Sequence, residues 1–208
     1  MSISDETRTF LQSLRDPSER VLTDFVPEEL RLDETGAIVV VCSDCHQRKD
    51  MSAFLARVAE ACGVSELYHK LKVNAAGIAL DPDSSLHRKG KHRLLTLEED
   101  IRDTMLPSVK GITTVILIAH FPCGKAGLEG ISDEEQMQSL LVGKARLKEH
   151  LYVPRVVCAV HVDWGGHNRR MYRITRRDWE AWCHRHDRTP TFRRISPVAP
   201  SDFVVLAD

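Results

Sequence analysis

The period of hydrophobic and polar positions changes several times along the chain, and each change marks a new element. AIVVV at 37–41 is an unbroken apolar run, mostly β-branched, as in a strand buried on both faces. After a polar turn, Met51, Phe54, Leu55, Val58 and Cys62 recur at helical spacing before Gly63. ELYHKLKV at 66–73 reads as a second strand, and the small, glycine-containing VNAAGIAL that overlaps its end suits backbone packed close to a neighbour. DPDSSLHRKGKHR at 81–93 is polar and basic and reads as a surface loop. Thr96 to Glu99 forms a capping-box pattern, opening a helix with Leu97, Ile101, Met105 and Val109 on one face.

GITTVILIAH at 111–120 is another buried-strand run, followed by a polar helix over 132–150 and a strand candidate over 153–165. RRMYRIT at 169–175, reached through the turn WGGHN, predicts an antiparallel edge strand, and RRDWEAWCHRH at 176–186 a last helix. In that helix Trp179 and Trp182 form a buried stripe or an interface patch, while Cys62 and Cys183 read as packing residues. Strands alternating with helices predict an α/β fold: a mainly parallel central β-sheet, helices on both faces, and an antiparallel edge strand. Residues 1–35, with a short helix over 7–14 and then the acidic, proline-containing DFVPEELRLDETG, read as an N-terminal arm; residues 36–208 read as a single α/β domain.

Composition adds exclusions. A net charge of −1 offers no electrostatic reason for nucleic acid or an acidic membrane as partner. No run reaches the roughly 18 apolar residues of a membrane span, and the polar, acidic start is unlike a signal peptide, so the expected setting is cytoplasmic. Six cysteines are too sparse for a disulfide scaffold over 208 residues and read as thiols, ligands or redox centres.

The candidate chemistry lies where open parallel sheets gather it, past the carboxyl ends of strands. Cys42-Ser43-Asp44-Cys45-His46 follows the first strand, and His120-Phe121-Pro122-Cys123-Gly124 ends a later one. Such turns present thiolate and imidazole to one tetrahedral Zn²⁺, and a parallel sheet can bring the two together across 78 residues (120 minus 42). Cys42, Cys45, His120 and Cys123 also make a complete Cys₃His set for a closed structural zinc site. Strand, CxxC and helix form a thiol redox site as well, although Asp44 puts a carboxylate beside thiols that prefer positive surroundings. His161, between Val160 and Val162, reads as a strand histidine with a hydrogen-bond partner, and the basic stretches around 87–93 and 176–188 as solvated surface.

These motifs resemble the β-class carbonic anhydrases, whose signatures are Cys-x-Asp-Ser-Arg after the first strand and His-x-x-Cys-Gly after a later one. VNAAGIAL is similar to that family's Arg-Asn-Ala-Gly-Asn segment, with Val73 and Ile78 at its altered ends. LEEDIRDTMLPSVKGITTVILIAH is similar to its helix and zinc strand, and VVCAVHVDW with RRMYRI to its closing strands. The resemblance spans roughly residues 37–175 and is one of motifs.

The resemblance implies Zn²⁺ on Cys42, His120 and Cys123, with water, hydroxide or Asp44 in the fourth position. It implies reversible hydration of CO₂ to bicarbonate by zinc-bound hydroxide, the activity of a carbonate dehydratase (a lyase), with a homodimer or larger assembly. Zinc brings the pKa of a bound water toward about 7 where three neutral imidazoles hold it, and two thiolates make that water less acidic. In the family an arginine two residues past the aspartate orients its carboxylate. Here His46 stands in that place and Cys45 replaces the serine, leaving His46, Arg48 or a basic residue of 88–93 as partner for Asp44. COS or CS₂ would suit the same chemistry.

Overall fold

The computed structural model describes residues 3–30, 32, 34–43, 48–63, 68–87 and 90–188. Helix α1 (Asp5–Arg15) leads into a short strand β1 (Leu22–Asp24), and the apolar run forms β2 (Ala37–Val41). Next come α2 (Arg48–Ala61), β3 (Tyr68–Lys72), α3 (His92–Met105) and β4 (Thr114–Phe121). The chain continues through a short α4 (Gly124–Leu128), α5 (Asp133–His150), β5 (Arg155–Asp163), β6 (Arg169–Ile174) and α6 (Arg176–Arg185).

One six-stranded sheet has the order β1-β6-β5-β4-β2-β3. The pairs β2–β3, β2–β4 and β4–β5 are parallel; β5–β6 and β6–β1 are antiparallel. The expected α/β architecture is present, with an antiparallel edge made of two strands. Every residue of β2 and β4 is buried, because helices cover both faces. On one face Ile116, Ile118 and Ala159 pack against Phe54, Leu55 and Val58 of α2. On the other, Val115, Leu117 and Val160 belong to a larger cluster with residues of α1, α3, α5 and α6.

Three expectations need correction. The segment expected to be an arm is built into the domain as far as residue 30. Leu11 and Leu14 of α1 are wholly buried in the larger cluster, and Leu22 to Asp24 pair with Ile174 to Tyr172. Thr96 opens no helix: α3 starts at His92 behind Lys91 with no side-chain cap bond, and Val109 lies past its end, 58% exposed. The stretch 81–93 is not a simple surface loop, since Asp81, Ser84, Leu86 and His87 are buried around a 3₁₀ turn, Ser85–His87.

The small residues after β3 do make a close approach. They form the 3₁₀ turn Ala76–Leu80, where a Cβ on Gly77 would stand 3.1 Å from Leu117 Cβ and 2.6 Å from Leu140 Cδ1. In α6, Trp179 and Trp182 are buried and stacked at 5.0 Å, which is the stripe reading. Cys183 is buried too, and Cys62 donates its thiol hydrogen to Leu30 O at 3.0 Å. Among the described residues no helix is long and apolar enough to cross a membrane.

Candidate metal centre

The sheet register carries the two halves of the site to one edge. Val40 pairs with Leu117, so Cys42, two residues further on, reaches the end of β4 where His120 lies. From there the chain turns through a cis Phe121–Pro122 peptide to Cys123, the residue before α4. His120 is 2% exposed and Cys123 7%, while Cys42 is half-buried against the larger cluster. One ligand atom from each of Cys42, His120 and Cys123 lies within 4.8 Å of the other two.

That geometry can hold a metal ion. Donors around a tetrahedral zinc, with bonds of about 2.0 Å to nitrogen and 2.3 Å to sulfur, stand roughly 3.5–3.8 Å apart, so modest side-chain rotation closes the shell. The thiol of Cys123 is held well above its ordinary pKa, first by the side-chain hydrogen bond with Cys42 and then by burial. The backbone amides of Ala126 and Lys125 pull the other way, toward the thiolate. Two thiols in contact, with amides nearby that favour the anion, suit a site where a cation replaces the protons.

Of the other residues expected at the site, Asp44 and His46 lie outside the described residues, as does Cys45. Arg48 is the first residue of α2, and its side chain is not described. Arg88 also lies outside, while Arg93 falls within α3.

The structure adds a polar network that the residue patterns did not suggest. His161 on β5 pairs in register with His120, and alternation along the strands puts both on the sheet face that α2 covers. Arg169, at the start of β6, donates from Nε to Asp163 Oδ2 at 2.8 Å and from Nη1 to Asp50 Oδ2 at 3.1 Å. The same Asp50 oxygen is 3.5 Å from His161 Nε2, within electrostatic reach but not a hydrogen bond. Burial pushes the pKa of His161 down to about 4, with Asp50 opposing the fall and His120 adding to it. Asp163 sits below the usual carboxylate range; burial opposes this, but the Gly165 amide and Arg169 outweigh it.

His161 is thus a strand histidine outside the trio of donors, as expected, yet neither of its ring nitrogens has a hydrogen-bond partner among the described residues. Its position could have been found by aligning the ends of the two strand runs, IAHF and AVHV. The link from Asp50 to Arg169 joins α2 to β6 across 119 residues, and no local pattern signals it. Compared with protein-family models, curated proteins and solved structures, the chain matches none.

Proposed function

We propose that this chain is a zinc-dependent carbonate dehydratase of the β-carbonic anhydrase type, interconverting CO₂ and bicarbonate. The observation that carries the reading is the convergence of Cys42, His120 and Cys123 within 4.8 Å at the carboxyl edge of the parallel sheet. Two sulfurs and one imidazole nitrogen are a donor set that suits Zn²⁺ better than the oxygen-seeking Mg²⁺ or Ca²⁺. With three protein donors among the described residues, one position of a tetrahedron is left over, and an open position is the feature that separates catalytic from structural zinc. The metal would supply Lewis acidity, making a coordinated water acidic enough to attack CO₂ near neutral pH.

The chain's own residues do the rest. Cys42 and Cys123 would neutralise the dication, and His120 would fix it from the neighbouring strand. Asp44, two residues past a ligand in sequence, would orient the attacking group by accepting its hydrogen, with His46 or Arg48 steadying the carboxylate. Arg169 is a poor substitute for the family's arginine, because Asp50 and Asp163 already engage it. A homodimer or larger assembly goes with this reading.

Stopped-flow CO₂ hydration tests it. The zinc-loaded protein should hydrate CO₂, lose the activity on chelation and regain it on adding Zn²⁺. Asp44→Asn should keep the metal and lose about 100-fold or more in rate, the usual size of a proton-handling contribution. A chain that holds zinc yet hydrates nothing at any pH would refute the enzyme and return the closed site with Cys45 as fourth ligand.

A further inference from the structure

His161 is a buried polar side chain beside the metal centre that the proposed chemistry leaves unused. It is 1% exposed, and both ring nitrogens lack hydrogen-bond partners among the described residues. Buried polar groups in folded proteins nearly always have a partner, so an imidazole with two open nitrogens calls for one. The parallel register sets it directly opposite His120, on the same face of the sheet. It is not among the three side chains whose ligand atoms converge. It therefore stands beside a donor without being one.

The charged residues around it bias where the ring proton sits. Asp163 and Asp50 hold Arg169 between them, and the Asp50 oxygen lies 3.5 Å from His161 Nε2. A carboxylate on that side favours the ring proton on Nε2 and leaves Nδ1 as an acceptor. An acceptor beside a metal centre discriminates between ligands by whether they bring a hydrogen.

We propose that His161 recognises the ligand at the metal: its imidazole accepts a hydrogen bond from a small hydroxyl-bearing oxyanion, of which bicarbonate is the simplest. It thereby separates such an anion from one of similar shape and charge without a proton, such as nitrate. The inference rests on the metal-centre reading above and adds a specificity residue to it.

The test uses the full chain loaded with Co²⁺, whose visible absorption reports both metal uptake and anion binding. His161→Leu and His161→Gln should take up Co²⁺ as the wild type does. Bicarbonate binding to the loaded His161→Leu protein should weaken about tenfold, the scale of one lost hydrogen bond, while nitrate binding changes far less. His161→Gln, which keeps an acceptor, should recover part of the loss and covers the case in which the leucine variant folds poorly. Equal changes for both anions, or none, would overturn the proposal. So would weaker Co²⁺ uptake with intact anion binding once loaded, because His161 would then only brace the ligands. A wild type that takes up no Co²⁺ refutes the metal centre itself, and this inference with it.

Discussion

Cys42 and Cys123 meet as a hydrogen-bonded pair, and the proton of Cys123 is held more tightly than in a free thiol, first by Cys42 and then by burial. A metal entering there must displace the thiol protons, so metal and protons compete. The sign follows from the raised pKa: at every pH below it the thiol is protonated, and lowering the pH strengthens the competitor. Zinc affinity should therefore rise with pH through the neutral range, by up to about tenfold per pH unit for each proton displaced. A competition titration with a chromophoric chelator at several pH values measures this, and an affinity flat in pH would mean that the thiols are not the ligands. The three donors were legible in the sequence because each lies just past a long apolar run, where a parallel sheet collects strand ends. His161 was legible as a strand residue, but its unsatisfied ring is a fact of packing.

Among the elements, strands were easier to read than helix boundaries. AIVVV and TVILIAHF carry their burial in composition, since a strand covered on both faces has no polar side to show. Helix α3 misled because Thr96 and Glu99 match a cap that tertiary packing overrides: Leu94, two residues earlier, is already buried in the core. The polar pattern of α5 hid another feature. Arg146 is buried and donates to Glu98 of α3, from Nε at 2.5 Å and from Nη2 at 3.0 Å. Removing one member of a buried pair strands the other's charge, which costs about 3–5 kcal/mol, whereas replacing both by apolar residues is often neutral. Glu98→Leu alone should lower the unfolding free energy from a denaturant titration by that amount, and Glu98→Leu with Arg146→Met should restore most of it. A single variant within about 1 kcal/mol of wild type would show the pair to be screened as a surface pair is.

For the molecule as a whole, the alternation of elements disclosed the α/β class and the parallel centre, but not how the first residues are used. α1 and β1 look like an appendage because they precede the regular pattern and are rich in charge. Their hydrophobic positions are nevertheless spent inside the domain. Leu11 and Leu14 are wholly buried, Arg8 donates to Trp164 O at 2.9 Å, and Arg15 lies 4.7 Å from the Tyr172 ring centroid. Burying each leucine stabilises by about 1.5–3 kcal/mol, and β1 adds a ladder on β6, against a total stability of about 5–15 kcal/mol for a domain. Deleting residues 1–24 should therefore abolish cooperative unfolding, or nearly so, in circular dichroism melts. A truncated chain that melts as the full one does and changes only in assembly size would restore the arm.

Sheet, turns and paired thiols all bear on whether one metal ion sits between β2 and β4. X-ray absorption at the zinc edge of the purified, metal-analysed protein tests this most directly. One zinc per chain should appear, with two sulfurs at about 2.3 Å and two nitrogen or oxygen donors at about 2.0 Å. No stoichiometric metal, or a shell without sulfur, would contradict the metal centre. A third sulfur would close the site and contradict the proposed catalysis.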